Sequence, residues 1–253
     1  MPISNEQLRH FEEKGFVNLG GLFEPEELVL ISAEYDRLVT FEGQVLGNAQ
    51  DGEFPYRAML NFRSPDLASF VAHPEILNVA RPLLGDDIRF WWDQGINKSP
   101  GAGSLIDWHQ DNGYTNGRTA PFLTFWLALD DSDEENGGLV VLPGSQKKGL
   151  LPHHYETVHA VIDESELDLG GAYSLDAKAG DVLLFSSYLV HRTVGNQTAN
   201  RQRRAWVLQY CRGDQKNENT GEIYDNRPWV MRDGKIVEKP FAERRFNLRG
   251  ERP

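Results

Sequence analysis

The chain has little of several features that would assign it to a structural class. Its 253 residues include one cysteine, Cys211. A single cysteine excludes an internal disulfide and a cysteine-rich zinc site. The longest apolar runs, such as residues 182–185, are far shorter than the roughly 18 residues of a membrane-spanning helix. Residues 1–6 contain neither a basic nor an apolar stretch, so the sequence predicts no signal peptide and a cytoplasmic protein.

Basic residues are also scarce. The chain carries 26 Lys and Arg against 38 Asp and Glu, which gives a net charge of −12. An acidic surface repels phosphate groups, so neither nucleic acid nor an anionic membrane is expected as a partner. A small-molecule partner is the remaining expectation. The hydrophobic fraction of 40% supports one large core, and we predict a single domain over residues 1–253.

Three regions of this domain differ in pattern. Residues 1–87 read as a mostly helical flank, with helix boundaries at Gly15, Pro25 and Ser64. The region 88–212 changes to short strands separated by turns. The predicted strands are 88–98, 122–129, 138–142, 181–186, 188–194 and 203–212. Residues 213–253 read as a polar C-terminal extension with no firm structure. Many short strands favour a sandwich or barrel over a parallel sheet.

One histidine pattern points to metal chemistry. In an extended chain, residues i and i+2 point to the same side, so His109 and Asp111 can face one point. His191 follows an apolar strand signal and could supply a third ligand. Two histidines and one carboxylate on one face of a metal form the facial triad of non-haem Fe(II) oxygenases. A surface or hydrogen-bonded histidine is the simpler alternative.

Other histidines fit this pattern less well. Three His-x-Glu pairs begin at His10, His73 and His154. The first falls on a predicted helix, the second precedes a proline and the third falls in a predicted irregular loop. His109 is therefore the preferred candidate.

Several further motifs make the sequence recognisable. They are Gly95-Ile96-Asn97-Lys98, Trp108-His109-Gln110-Asp111, Phe125-Trp126-Leu127-Ala128-Leu129-Asp130-Asp131, Glu135-Asn136-Gly137-Gly138-Leu139, Val141-Leu142-Pro143-Gly144-Ser145, Ala179-Gly180-Asp181-Val182 and the segment from His191 to Arg204. Together they resemble the phytanoyl-CoA dioxygenase family of Fe(II)/2-oxoglutarate-dependent oxygenases. The resemblance covers roughly residues 5–212.

The resemblance implies both fold and chemistry. The implied fold is mainly β with flanking N-terminal helices, a double-stranded β-helix or jelly-roll, cupin-like barrel. The implied iron ligands are His109, Asp111 and His191. The implied reaction uses Fe(II), 2-oxoglutarate and O₂ to hydroxylate or otherwise oxidise an unactivated C–H bond, releasing succinate and CO₂.

The resemblance also implies residues that bind 2-oxoglutarate. The distal carboxylate of 2-oxoglutarate needs a cation, and the planar guanidinium of arginine can bond both of its oxygens. The candidates are Arg201, Arg203 and Arg204, of which Arg203 matches the family pattern best. The other implied co-substrate residues are Thr193, Gln94 and Trp126, and core packing is an equal alternative for the tryptophan.

Substrate contacts and other functions complete these expectations. Residues that flank the motif or precede the barrel could line a substrate pocket, namely Trp92, Asn112, Tyr114, Arg57 and Asn61. One alternative function is a cupin-like metal-dependent isomerase or lyase that does not use 2-oxoglutarate. The other is a non-catalytic small-molecule-binding barrel.

Overall fold

The computed structural model describes residues 2–45, 56–103, 105–115, 119–156 and 159–241. Within these ranges the helices are α1 (Asn5–Lys14), α2 (Pro25–Val45), α3 (Pro65–Phe70) and α4 (Pro74–Leu84). The strands are β1 (Phe16–Gly21), β2 (Tyr56–Ala58), β3 (Ile88–Lys98), β4 (Ile106–His109), β5 (Leu123–Ala128), β6 (Leu139–Val141), β7 (His154–Glu156), β8 (His159–Val161), β9 (Tyr173–Leu175), β10 (Asp181–Ser186), β11 (His191–Thr193), β12 (Arg203–Arg212), β13 (Trp229–Arg232) and β14 (Lys235–Ile236).

The helix boundaries follow from capping residues. The Ser4 hydroxyl accepts a hydrogen bond from the amide of Gln7, whose side chain accepts one from the Ser4 amide. This reciprocal pair satisfies two amides at the start of α1. The helix ends at Gly15, whose φ of 87° is a left-handed conformation that suits glycine. At the start of α3, the Ser64 hydroxyl accepts from the Leu67 amide. These ends confirm the boundaries predicted at Gly15 and Ser64.

Two antiparallel sheets form the barrel. The major sheet has the order β1-β10-β5-β12-β3-β13-β14, with β2 also paired to β3. The minor sheet has the order β4-β11-β6-β9, and β7 and β8 form a separate pair. All of these strand pairs are antiparallel.

Side-chain alternation divides the hydrophobic core between the two faces of the major sheet. On β5, Phe125 and Leu127 belong to the cluster that packs on the helices. Trp126, between them, belongs to a second cluster that includes Val141 of the minor sheet. The inward side chains of the major sheet therefore face the minor sheet, which carries His109 and His191.

The structure agrees with the predicted strands and adds others. All six predicted segments contain a strand, although the one predicted at 188–194 covers only His191–Thr193. Strand β1, in the predicted helical flank, pairs with β10 of the major sheet. Strand β13, in the C-terminal extension, pairs with β3. His154 begins β7, so its placement in an irregular loop was wrong.

Within the described ranges, no helix is both long enough and apolar enough to cross a bilayer.

Candidate active site

Strand pairing brings the predicted metal ligands together. His109 ends β4 and is directly paired with His191, which begins β11. Gln110 is extended, with φ −119° and ψ 140°, so the chain continues in a strand-like path beyond β4. Asp111 then opens a 3₁₀ turn, and its side chain returns to the side of His109. The i, i+2 interpretation is therefore correct in direction, although Asp111 itself lies outside the strand.

The three side chains are close enough to share one ion. Asp111 Oδ1 lies 3.9 Å from His109 Nε2 and 3.6 Å from His191 Nε2. One ligand atom from each residue lies within 4.8 Å of the others. Two atoms bound to one ion at about 2.0–2.2 Å can be at most about 4.4 Å apart. Both distances from the carboxylate oxygen meet this limit, and the three ligand atoms form a cluster that could hold one metal ion.

Backbone carbonyls orient both imidazoles. His109 Nδ1 lies 2.7 Å from the carbonyl oxygen of Asp107, and His191 Nδ1 lies 3.0 Å from that of Leu189. A carbonyl oxygen only accepts, so each Nδ1 carries the proton and donates it. Each Nε2 then presents a lone pair to the shared point, as metal-ligating histidines do.

Burial keeps one of these imidazoles neutral. Burial, followed by the nearby His191, lowers the pKa of His109 well below its ordinary value. A neutral imidazole is the form that binds a metal. The His109 side chain is therefore in its ligand form at neutral pH.

Two further side chains hold the carboxylate. Asp111 Oδ2 accepts hydrogen bonds from Thr124 Oγ1 at 2.6 Å and from Gln209 Nε2 at 2.9 Å. Oδ1 is the oxygen that faces the imidazoles. The two carboxylate oxygens therefore have different environments.

A lysine and an arginine are buried together in the barrel interior. Lys98 ends β3 and is directly paired with Arg203, which begins β12. Both residues have no exposed surface. Burial and the neighbouring Arg203 lower the pKa of Lys98 to about 6. Burial also lowers the pKa of Arg203 to about 10. Like charges held together in a buried space favour an anion as ligand.

The hydrogen bonds of Arg203 leave two of its donors available. Arg203 Nη2 donates to the carbonyl oxygen of Gly137 at 2.6 Å, but its Nε and Nη1 have no hydrogen-bond partner. Lys98 Nζ donates to Thr193 Oγ1 at 2.9 Å and also to the carbonyl oxygen of Val194. Two buried guanidinium nitrogens without acceptors suit a carboxylate.

The Gly137 turn allows this arrangement. Its φ is 88°, and a Cβ at this position would lie 2.8 Å from Lys98 Cδ and from the carbonyl oxygen of Val194. Any other residue would be strained in conformation and would displace the lysine. This explains why the first glycine of the Asn136-Gly137-Gly138 motif, Gly137, has no side chain.

Trp126 adds another unpaired donor. Its side chain lies near Arg203, whose guanidinium carbon is 5.7 Å from the ring centroid. The indole Nε1 is buried and has no hydrogen-bond partner.

Gln94 is paired with Val207 on the inward face of the sheet, and its Oε1 accepts from Trp92 Nε1 at 3.2 Å. The four predicted co-substrate residues thus all face the barrel interior.

The other two candidate arginines are engaged on the surface. Arg201 donates to Asp133 and Glu135. Arg204 donates to Asp130 and Asp36, and it lies on the opposite face of β12 from Arg203. Of the three candidates, Arg203 is the one inside the barrel.

Of the predicted substrate residues, Tyr114 lies beside the triad and Trp92 lies on the inner face of the major sheet. The Tyr114 ring packs edge-on against His109, with 5.6 Å between ring centroids, and the residue is 43% exposed. Trp92 is paired with Gln209, which contacts Asp111. An aromatic side chain that is partly open to solvent beside the triad is suited to contact a substrate.

The other three predicted substrate residues support the local turn or lie away from the triad. The Asn112 side chain is buried and donates to the carbonyl oxygen of Thr119, so it supports the turn after Asp111. Arg57 is paired with Gly95, whose inserted Cβ would meet Tyr35 of helix α2. The Asn61 amide donates to Asp93 Oδ2, an atom that also accepts from the outward-facing Trp206. The structure therefore places Arg57 and Asn61 on the helix-facing side of the sheet and does not bring them to the triad.

Three residues of the site were missed by sequence reasoning. Lys98 carried a detectable signal, since it is a lysine that ends an apolar strand in register with Gln94 and Ile96. Thr124 and Gln209 carried none, because their contacts with Asp111 join residues 13 and 98 positions apart.

Comparison with known proteins gives the family. Residues 11–205 match the family described as Phytanoyl-CoA dioxygenase (PhyH). This match spans more than half of the chain, and the protein belongs to that family.

The sequence identity to individual relatives is low. The chain is 28% identical over 231 residues to a probable alpha-ketoglutarate-dependent hypophosphite dioxygenase of Stutzerimonas stutzeri, covering 83% of this chain and 79% of the relative. It is 28% identical over 222 residues to an ectoine dioxygenase of Bordetella bronchiseptica, covering 77% and 71%.

A solved structure shows the same fold. EvdO2 from Micromonospora carbonacea var. aurantiaca, complexed with 2-oxoglutarate, superimposes with a TM-score of 0.68 at 23% identity. The match covers 83% of this chain and 91% of that one. The predicted fold class, mainly β with a jelly-roll barrel, is confirmed.

Proposed function

We propose that this protein is an Fe(II)- and 2-oxoglutarate-dependent dioxygenase that acts on a small molecule as one oxygenase domain over residues 1–253. The observation that carries this proposal is that one barrel holds both the His-Asp-His triad and a buried Lys98–Arg203 pair in which two guanidinium nitrogens are unpaired. Either feature alone has simpler explanations, but their combination matches the needs of a metal and a dicarboxylic co-substrate. Membership of the family agrees with this function.

In this proposal, His109, Asp111 and His191 hold the iron. The Nδ1 bonds to backbone carbonyls fix each imidazole so that Nε2 faces the ion. The carboxylate supplies Oδ1 and contributes a negative charge that offsets that of the metal. Three protein ligands on one face leave the opposite positions open for co-substrate and O₂.

Arg203, Lys98, Thr193, Trp126 and Gln94 would form the 2-oxoglutarate pocket. The two unpaired nitrogens of Arg203 are available to bind the distal carboxylate through two hydrogen bonds. Lys98 supplies a second positive charge, and Thr193 orients its ammonium group. The unpaired Trp126 Nε1 can donate to the same co-substrate, and Gln94 offers an amide from strand β3, which is paired with β12.

Tyr114 and Trp92 would contact the substrate. The tyrosine packs on a proposed iron ligand and is partly exposed, so its ring can close one side of the reaction space and exclude water. Trp92 presents an aromatic surface, with its indole nitrogen committed to Gln94. We assign Asn112 a supporting role in the turn after Asp111.

The bound iron would supply the oxidising chemistry. It would couple the oxidation of a substrate C–H bond to C–OH by O₂ to the conversion of 2-oxoglutarate into succinate and CO₂. The protein positions the reactants and excludes side reactions. The buried cationic pocket disfavours a cupin-like isomerase or lyase, which has no use for a second anion site.

The nature of the partners follows from the same considerations. The names of the relatives include small-molecule substrates, and we propose a small-molecule substrate here as well. The acidic charge supports the proposal that neither nucleic acid nor a membrane is a partner. A cytoplasmic location is part of this proposal.

Release of labelled CO₂ from 1-¹⁴C-2-oxoglutarate tests the function. The Fe(II)-loaded protein should release CO₂ slowly without substrate, and Asp111→Ala should abolish this release. Asp176→Ala is a matched control, because Asp176 is an exposed carboxylate that accepts a hydrogen bond from Ser174 and is not part of the triad. Release that does not require Fe(II), or that survives in Asp111→Ala, would refute the proposal.

A further inference from the structure

Asp111 is the one proposed iron ligand whose backbone is not part of a strand. It begins a 3₁₀ turn, so the sheet alone does not fix its side chain. The only anchors that its side chain receives among the contacts described are the two hydrogen bonds on Oδ2. These bonds therefore decide which carboxylate oxygen faces the imidazoles.

The two donors are held rigidly. Thr124 lies on β5 and Gln209 on β12, and the two residues are directly paired across these strands. Thr124 has no exposed surface, and Gln209 is 7% exposed. Gln209 Nε2 lies 3.2 Å from Thr124 Oγ1 as well as 2.9 Å from Asp111 Oδ2. The amide thus donates to the hydroxyl and the carboxylate.

The direction of each hydrogen bond follows from the chemistry of the groups. An ionised carboxylate can only accept, so the Thr124 hydroxyl must donate its proton to Asp111 Oδ2. The same hydroxyl oxygen accepts from Gln209. The three side chains then form one closed network, in which Oδ2 receives two donors.

We propose that Thr124 and Gln209 are positioning residues that restrict Asp111 to one-oxygen coordination of the iron. This inference rests on the proposed function. If both carboxylate oxygens bound the metal, the second would occupy a position that the co-substrate or O₂ requires. The two donors on Oδ2 prevent the carboxylate from rotating to bring both oxygens to the metal. They hold Oδ1 towards His109 and His191.

A pair of substitutions at Thr124 separates the hydroxyl from the shape of the side chain. Thr124→Val keeps the shape and removes the donor, whereas Thr124→Ser keeps the donor and removes a methyl group. Thr124→Val should weaken Co(II) binding by about 10- to 100-fold, the effect typical of lost outer-shell partners. Thr124→Ser should stay within about threefold of wild type.

The coordination of bound Co(II) gives a readout that does not depend on turnover. The visible spectrum of Co(II) in Thr124→Val should differ from that of wild type, and the Co(II) protein should bind 2-oxoglutarate more weakly. Gln209→Met, which keeps length and removes the donor, should change both properties in the same direction. It serves as the second variant if Thr124→Val does not fold.

Thr198→Val is a matched control. Thr198 is also a buried threonine whose hydroxyl bonds a polar side chain, that of Asn196. Its loss should leave Co(II) affinity and spectrum unchanged.

The outcomes separate the two proposals. Equal Co(II) affinity and spectra in Thr124→Val, Thr124→Ser and wild type would refute the positioning role alone. A wild-type protein that binds neither Co(II) nor Fe(II) at the triad would refute the proposed function, and the positioning role with it.

Discussion

The guanidinium of Arg203 lies beside the ring of Trp126, with 5.7 Å from Cζ to the ring centroid, and both side chains have buried nitrogens without a hydrogen-bond partner. Unpaired buried donors are costly, by about 1–3 kcal/mol each. Their presence together beside the triad indicates a pocket shaped for an acceptor. Bound 2-oxoglutarate would accept hydrogen bonds from these donors, and the removal of this cost would strengthen its binding.

Arg203→Gln should weaken 2-oxoglutarate binding strongly. Losing two charge-assisted hydrogen bonds should cost about 3–5 kcal/mol, which corresponds to roughly 100-fold or more in dissociation constant. Isothermal titration of the Co(II) protein measures this. Arg201→Gln is the control, since Arg201 bonds surface carboxylates, and it should stay within about twofold of wild type. The reverse ranking would place the co-substrate elsewhere.

Trp126→Phe should weaken co-substrate binding. Without Nε1, 2-oxoglutarate should bind about 5- to 10-fold more weakly, because one hydrogen bond is lost. The free protein should lose some stability because the smaller ring leaves a cavity in the core, and the removal of a buried donor without an acceptor should offset part of that loss. Urea unfolding and co-substrate titration test both. Unchanged affinity would mean that the indole serves only core packing.

Lys98 predicts a pH dependence of co-substrate binding. Its pKa is about 6 in the free protein because of burial and Arg203, so the amine is largely neutral at pH 8. A bound dianion favours the ammonium form and raises this pKa, so binding takes up a proton. The dissociation constant should therefore increase as pH rises above about 6, by at most tenfold per unit.

Lys98→Met isolates this effect. The variant should bind 2-oxoglutarate more weakly and should lack the extra proton uptake, measured at pH 8 by calorimetry in buffers of different ionisation enthalpy. Titration of the metal ligands is common to both proteins and cancels in the difference. Identical proton uptake in the two proteins would contradict a direct charge interaction.

Asp93 predicts a pH dependence of stability that is separate from the metal site. Burial raises its pKa to about 7, against the opposing hydrogen bonds from Trp206 Nε1 and the Asn61 amide. Between about pH 4 and pH 7 the folded state holds a proton that the unfolded state has released. The contribution of Asp93 is therefore fully present below about pH 4 and is lost as pH rises to about 7, by up to about 4 kcal/mol.

Asp93→Asn should remove this dependence. An amide oxygen can accept both hydrogen bonds and carries no charge. The variant should be close to wild type in urea unfolding at pH 4 and should exceed its stability at pH 8. A stability difference that is the same at pH 4 and pH 8 would contradict the raised pKa of Asp93.

The sequence allowed much of the barrel to be predicted because its long strands have local signals. Strands β3, β5, β10 and β12 are apolar segments with turn residues at their ends, and each appears within a few residues of its predicted limits. The short strands β4 and β9 were missed. Their three or four residues carry little periodicity, and long-range pairing defines them.

Site residues divide in the same way. His109 and Asp111 are neighbours in sequence, so their convergence follows from local geometry. Arg57 and Asn61 also precede the barrel, but strand register places them on its helix-facing side, and no local signal distinguishes the two faces of β2. The Thr124–Gln209 pair depends on the register of β5 against β12, which is a property of the folded sheet.

Anaerobic titration of the Fe(II)-loaded protein with 2-oxoglutarate tests the central claim most directly. A weak visible absorption band should appear in the wild type, saturate with added co-substrate, and be absent in His109→Ala. Arg203→Gln should need much more 2-oxoglutarate to reach the same absorbance. A wild-type protein without this band, or a band that persists in His109→Ala, would contradict the assignment of the triad and its pocket.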